Sequence, residues 1–411
     1  MLAILTTHPI QYQVPIWQAL AKSGQVPFEV WYLTDFGIKP SLDRQFGKRF
    51  SWDIDVLSGY PYRFVQTPQG ARPALLWECR LGERLRDRLR QTGAKALWIQ
   101  GWQVMAYWQA AREAPAAGVE LWLRGESNDL APPAPLWKRA LKQFALRRLL
   151  GRVDRFLYIG SANKRLYQQF DVPETRLYSA PYAVDNDRFA RQALLLRQQR
   201  TTVRRQWGIG DDAFCILFCG KFIRKKRPLD LVMSAQSLIA SGRLRNVHLL
   251  FAGSGEMGTE LRQSCHVVFD AETADSQACE AGFSASSPCE LPRASFTGFL
   301  NQTEISRAYV AADCLVLPSD HGETWGLVVN EALASGLPCI VSDACGCAED
   351  LVGDEFSFPV GSHEVLARKL ERLHGDAPHR FLRRLPSVDD TIAAICKAYS
   401  DLGKKTESVQ L

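Results

Sequence analysis

No window of this 411-residue chain offers the ~20 uninterrupted apolar residues that a membrane-spanning helix needs, so an integral membrane protein is not expected. The opening MLAILTTHPIQYQ lacks a basic leader and a small-residue cleavage site. It reads as a first strand rather than a signal peptide, and the expected location is the cytoplasm. No internal repeat with a period of 20–50 residues is visible, which sets solenoids and propellers aside. No basic stretch is interleaved with aromatics as in known nucleic-acid-binding motifs, and no nucleic-acid partner is expected. The 11 cysteines form no disulfide framework. Cys215, Cys219, Cys314 and Cys339 lie in apolar runs, where a reduced thiol is a small hydrophobe. Cys265, His266, Cys279 and Cys289 cluster in a polar segment, but their spacing fits no standard zinc finger, and no metal is expected there.

What remains is the composition of an ordinary globular chain, 46% apolar and 23% charged. Its length exceeds one core and fits two domains of about 200 residues each. The net charge of +6 is unevenly spread. Residues 1–200 hold 29 Lys and Arg against 17 Asp and Glu, whereas residues 201–411 hold 21 against 27. Such asymmetry predicts that the first half meets something anionic, a membrane surface or a phosphate-bearing acceptor.

Apolar, β-rich runs alternate with amphipathic ones: LAILTT (2–7), FEVWYLT (28–34), ALWIQGW (96–102), ELWLRG (120–125) and RFLYIG (155–160), with helix-like segments such as Val14–Ser23 and Leu81–Thr92 between them. The pattern restarts after a charged stretch with FCILFCG (214–220), NVHLLFAG (246–253), ASFTGF (294–299), DCLVLPS (313–319) and PCIVSD (338–343). Strands alternating with helices predict two α/β units with parallel sheets, 1–185 and 186–387. Segment 264–293 fits neither period and reads as a mobile insertion within the second unit. A last helix is expected over Val388–Leu402.

The chemistry concentrates in LVLPSDHGETWGLVVNEALASGLPCIVSDACGCAEDLV (315–352). A strand ends at Pro318–Ser319, a polar turn follows, and a helix begins near Trp325–Gly326. Its first-turn amides make an anion site suited to a diphosphate. Glu323 lies in the turn and Glu331 within the helix, which Gly336–Pro338 closes. This segment resembles the donor-site signature of the retaining family-4 glycosyltransferases. That pattern is Pro-Ser, Glu, an aromatic, Gly, a second Glu, Ala, a small residue, Gly and Pro, here Pro318–Ser319, Glu323, Trp325–Gly326, Glu331–Ala332, Ser335–Gly336 and Pro338.

GKFIRKKRPLDLV (220–232) resembles the family's strand–loop segment with two basic residues, here Lys221, where the family usually has Arg, and Lys226. FAGSGE (251–256) and SAPYAVDNDRF (179–189) also fit in order. The resemblance implies an α/β GT-B fold, two Rossmann-like domains facing an interdomain cleft, with the final helix joining the first domain. It covers residues ~155–400 well and the rest loosely. Implied catalytic residues are Glu323, on the transferred sugar, with Lys226 and Lys221 on the diphosphate. Implied donor-binding residues are Glu331, on the ribose, with Gly326, Trp325, Thr324, Gly220 and Gly253.

The implied reaction transfers a hexosyl group from an NDP-sugar to a hydroxyl of a glycan or lipid-linked saccharide, with retention, in cell-surface polysaccharide assembly. No cofactor is expected, because no Asp-x-Asp motif stands at a strand end; Asp53 and Asp55 have the spacing but lie in an aromatic-rich loop. Two other readings remain: a non-catalytic protein that binds nucleotide or glycan, and a nucleotide-sugar epimerase-like enzyme. The acceptor half departs from the family, with no glycine in THPIQYQVP (7–15) and LRGESND (123–129) where many relatives place a His. Position alone nominates His8, Gln11, Arg124 and Glu126 there. Residues 135–152 form a basic amphipathic segment suited to peripheral contact with an anionic membrane.

Overall fold

The computed structural model describes residues 1–38, 41–43, 48–65, 76–82, 84–130, 135–272, 291–375 and 384–403. Its chain divides into two compact units. One takes Met1–Ser41, Phe50–Asp185 and the C-terminal Pro386–Leu411, and the other takes Leu42–Arg49 and Asn186–Leu385. Five of the helices are α1 Val14–Ser23, α2 Leu136–Leu150, α3 Pro228–Ala240, α4 Leu327–Ala334 and α5 Val388–Ser400.

The first unit holds a seven-stranded sheet of β1 Leu2–Thr6, β2 Phe28–Tyr32, β3 Tyr62–Phe64, β4 Ala96–Ile99, β5 Glu120–Leu123, β6 Arg155–Tyr158 and β7 Leu177–Ser179. Their order is β3-β2-β1-β4-β5-β6-β7, and neighbours pair in parallel. The alternation of side chains along a strand splits β1 between two cores. Leu2 and Ile4 pack with Trp17 and Leu20 of α1 and Ile392, Ile395 and Ala398 of α5, while Ala3 and Leu5 pack with Leu89, Tyr107 and Leu146. The C-terminal helix is therefore part of the first unit's core. A capping box starts it, with Ser387 and Asp390 exchanging backbone and side-chain bonds. Thr391 donates to the Pro181 carbonyl at 2.8 Å, and the Arg155 guanidinium donates to the Asp401 carbonyl at 2.5 Å.

The second unit repeats the plan with β8 Phe214–Cys219, β9 Val247–Ala252, β10 His266–Asp270, β11 Arg293–Gly298, β12 Cys314–Leu317, β13 Cys339–Ser342 and β14 Ser357–Phe358. The order is β10-β11-β9-β8-β12-β13-β14, again parallel. From β8 the chain runs outward to β9 and then returns to the other side at β12. The carboxyl ends of β8 and β12 thus flank a topological switch point, where α/β sheets bind ligands.

The expected insertion 264–293 is corrected in part. Residues 266–270 form edge strand β10, held to β11, and Arg262 pairs bidentately with Asp270 at 2.6 and 3.0 Å. Residues 273–290, with Cys279 and Cys289, lie outside the described residues. The nine described cysteines are free. The helix expected at Leu81–Thr92 is shorter, Leu85–Gln91. Among the described residues no helix is long and apolar enough to cross a membrane.

Candidate functional site

The loops after β8 and β9 are fastened to one another through their backbones. Gly220 donates to the Ala252 carbonyl at 2.9 Å, Phe222 to the Ser254 carbonyl at 2.9 Å, and Met257 to the Phe222 carbonyl at 2.9 Å. Gly220 and Gly253 have φ of +145° and +144°, a region open to glycine. Their surroundings differ. A Cβ on Gly220 would meet nothing within 4 Å, so a ligand can reach this backbone. One on Gly253 would lie 1.9 Å from the Gly220 carbonyl oxygen. Gly253, expected beside the donor, is therefore needed for the contact between two loops.

Beyond Lys221 the chain makes a short 3₁₀ turn, Arg224–Lys226, and enters α3 through Arg227 at φ +49°. Arg227 holds that strained position by a bidentate pair with Asp230, at 2.6 and 3.0 Å. The turn docks on the loop after β12, where Asp320 donates its amide to the Lys225 carbonyl at 2.8 Å. This contact brings the Lys226 ammonium onto the Glu323 carboxylate, and both side chains are mostly buried. Ser319 Oγ donates to the same carboxylate at 3.3 Å. Residues 97 apart in sequence thus share one point at the switch.

The β12–α4 loop is braced from behind by the loop after β13. Gly346 donates to the Glu323 carbonyl and Cys347 to the Trp325 carbonyl, each at 3.2 Å, while Ser342 Oγ bonds the Ser319 carbonyl. Burial pushes the Cys345 thiol up to about 12, so this thiol is neutral at physiological pH. Gly326 caps α4 at φ +112°, and a Cβ there would lie 2.6 Å from Leu317 Cδ2. No acidic residue lies in the first turn of α4, which leaves its positive end uncompensated by side chains.

Three nominated residues lie in or beside the β12–α4 loop and helix. Trp325 is 3% exposed, and its indole N–H donates to Asn330 Oδ1 at 2.8 Å, so it forms a packed wall of the loop. Glu331 is also 3% exposed. Its carboxylate accepts from Tyr309 OH at 2.5 Å and Gln302 Nε2 at 3.4 Å, and Arg188 in turn donates to Gln302 Oε1 at 2.6 Å. A ribose would have to join or displace these partners. Thr324 is half-buried beside Glu323. Tyr309 and Gln302 are not indicated by the sequence, and Ser319 is indicated only as part of the motif, without its bond to Glu323. Nothing in the spacing ties Tyr309 to a glutamate 22 residues later.

In the first unit the nominated residues gather at the carboxyl edge of the sheet. Arg124 follows β5 and is 2% exposed. It donates to the carbonyls of Ala180 at 3.2 Å and Pro181 at 3.4 Å, and its guanidinium lies 4.8 Å from the Tyr182 ring centroid. Tyr182 OH donates to Glu126, so the tyrosine bridges the two charged residues. Thr7 Oγ1 lies 2.9 Å from His8 Nδ1, and burial lowers this imidazole to about 4. Gln11 Oε1, Gln100 Nε2 and Arg124 Nε are buried without a hydrogen-bond partner among the described residues. An unpaired buried polar atom costs about 1–3 kcal/mol, so each of these groups calls for a partner, a water or a ligand. Gln100, at the end of β4 beside Arg124, was missed because one polar residue closing an apolar run reads as a strand end. Asp55 of the Asp-x-Asp spacing accepts from the amides of Leu57 and Ser58, at 2.9 and 3.1 Å, and serves its own turn.

Known proteins resemble this chain in part of its sequence and in its fold. Residues 213–376 match the family model described as "Glycosyl transferases group 1". An uncharacterized glycosyltransferase of Methanocaldococcus jannaschii is 28% identical over 152 residues, 37% of this chain and 33% of that protein. The chain thus spans about a third of the length of this relative. A glycosyltransferase from Rickettsia africae aligns over 98% of this chain and 99% of its own, with a TM-score of 0.68 at 12% identity. Anabaena HepE, in complex with UDP and glucose, aligns over 97% and 94% with a TM-score of 0.58 at 15% identity. The chain has the GT-B fold of these solved structures, and within it residues 213–376 match the Glycosyl transferases group 1 family model.

Proposed function

We propose that the protein is a retaining, metal-independent family-4 glycosyltransferase. It moves a hexosyl group from an NDP-sugar to a hydroxyl of a glycan or lipid-linked saccharide, in polysaccharide assembly on the cytoplasmic side of the cell membrane. The observation that carries the reading is the meeting of Lys226, from the loop after β8, with Glu323, from the loop after β12, at the switch point. Gly220 stands open on one side, and the amino end of α4 on the other. The Anabaena neighbour's complex with UDP and glucose supports a nucleotide-sugar donor.

In this reading the diphosphate lies between Lys221, Lys226 and the first turn of α4, which share the charge that develops as the sugar–phosphate bond breaks. Charge-assisted contacts of this kind contribute roughly 1.5–3 kcal/mol each. Lys226 exchanges its ion pair for the diphosphate, and Glu323 is released to accept from the sugar's hydroxyls. Glu331 and its partners meet the ribose. The acceptor oxygen forms its bond to the anomeric carbon as the bond to phosphate breaks. Its proton passes to the departing diphosphate, on the same face of the sugar. His8, Gln11, Arg124 and Glu126 are assigned to the acceptor side.

The test is donor turnover by wild type and by Glu323→Gln, with intact mass spectrometry of the wild-type enzyme during turnover. Turnover should fall by about 10²–10³-fold in the variant while nucleotide still binds. A covalent glycosyl–enzyme adduct would sink the single-face reaction. Nucleotide binding without turnover in wild type would favour the non-catalytic reading.

A further inference from the structure

Helix α2 carries two apolar faces, and only one of them belongs to the protein's core. In its second half Leu146, Leu149 and Leu150 are buried in the first unit. In its first half every residue is exposed, and the large apolar ones stand well out of the surface: Leu136 at 82%, Trp137 at 67%, Leu141 at 63% and Phe144 at 60%. At about 100° per residue, Leu136, Ala140, Phe144, Trp137 and Leu141 fall within an arc of roughly 140°. Its centre lies roughly 160° from the side on which Leu146, Leu149 and Leu150 dock. The stripe therefore points away from the fold that carries it.

Its charge is equally one-sided. Residues 135–152 contain six Lys and Arg and no Asp or Glu. Lys138 and Arg139 flank the arc on its two sides, and Arg147 and Arg148 follow it toward the C-terminal end. The Lys138 ammonium lies 5.3 Å from the Trp137 ring centroid and the Arg148 guanidinium 5.0 Å from that of Phe144. Arg147 makes an exposed pair with Asp171 at 3.7 Å. Long cationic side chains beside an aromatic–aliphatic stripe can bury their stems and reach upward to anionic groups.

We propose that α2 is a membrane-docking element. Leu136, Trp137, Leu141 and Phe144 insert into the interfacial layer of an anionic bilayer, while Lys138, Arg139, Arg147 and Arg148 meet its headgroup phosphates. A tryptophan and a phenylalanine among leucines, ringed by cations, is the residue set that suits this boundary. A second copy of the same face fits poorly, since it would set six cations against six. The surface belongs to the first unit alone, so this inference stands apart from the donor chemistry.

The experiment is flotation of the full chain with phosphatidylcholine vesicles, with and without about one-third phosphatidylglycerol, at low and high salt. Sedimentation velocity without lipid accompanies it. The wild type should float with the anionic vesicles, less at high salt, and the Trp137→Ser/Phe144→Ser double variant should partition about tenfold less. Both side chains are mostly exposed, so the variant should keep its thermal midpoint, and a matching unfolding scan separates lost docking from lost fold. Equal recovery of wild type and variant overturns the proposal, as does absence of wild type from the floated fraction. A wild-type dimer that the variant turns into monomer overturns it in favour of a second copy.

Discussion

Glu331 is the residue whose surroundings constrain it most. Its carboxylate is buried and accepts from Tyr309 and Gln302, so removing it takes a charged hydrogen-bond acceptor from two donors in the interior. Glu331→Ala should cost about 1–3 kcal/mol in urea unfolding of the second unit, besides weakening nucleotide binding. A variant as stable as wild type would show that the carboxylate is not engaged in this way. Gly326→Ala is expected to lose a similar amount, because a φ of +112° and Leu317 Cδ2 at 2.6 Å leave no room for a Cβ. A histidine in the same unit supplies a pH dependence. His248 is buried on β9 with Nε2 2.8 Å from Ser295 Oγ. Burial first, and then Arg293 and Arg204, lower it to about 3. The unfolded chain takes up this proton near pH 6.5 and the folded one only near 3. The stability it contributes is therefore complete above pH 6.5 and declines as pH falls toward 3, by about 1.4 kcal/mol per unit. Replacement by Gln should flatten the slope of unfolding free energy between pH 4 and 6 by about one proton's worth. An unchanged slope would place that proton elsewhere.

At the scale of elements, the two sheets were legible where strands are central. Runs such as LAILTT and FCILFCG are apolar throughout because both faces of a parallel sheet are covered. In the two seven-stranded sheets the strands that escaped are the edges: Tyr62–Phe64, Leu177–Ser179, His266–Asp270 and Ser357–Phe358. Each is two to five residues long, and Tyr62–Phe64 is exposed throughout, so none leaves an apolar run to read. The site shows the same division. Order along the chain pointed to Lys226 and Glu323, whereas the burial of Trp325 depends on Asn330 and on a neighbouring loop that no local pattern encodes. Helix α5 tests the element scale directly. Ile395 is fully buried between α1 and the sheet, and Ile395→Ala should destabilise the first unit by about 2–4 kcal/mol, read as a lower midpoint in denaturant. A loss under about 0.5 kcal/mol would mean that the helix is not part of that core.

For the whole molecule, the proposed donor chemistry turns on what would balance the charge of a departing diphosphate. A divalent cation would need carboxylates converging near the switch point. There the structure presents Glu323 paired with a lysine and Glu331 enclosed by Tyr309 and Gln302. Asp320 is turned to its own loop, with Oδ1 accepting from the Gly322 amide at 2.8 Å. At the same place the Lys226 ammonium sits on Glu323 and the amino end of α4 begins, on loops tied to one another by backbone hydrogen bonds, and Lys221 follows the open Gly220 on the same loop as Lys226. On the proposed reading, preorganised charge of this kind would act without a metal. A thermal-shift series with UDP, GDP, ADP and their sugar conjugates, with and without EDTA, should show one base stabilising the protein equally in both conditions. At a ligand concentration about a hundredfold above Kd the gain should be about 2.7 kcal/mol. Lys226→Ala should reduce that gain for the diphosphates while leaving the unliganded midpoint within a few degrees. A gain that EDTA abolishes would assign the charge to a bound cation instead, and Glu323 would then be the first residue to examine as its ligand.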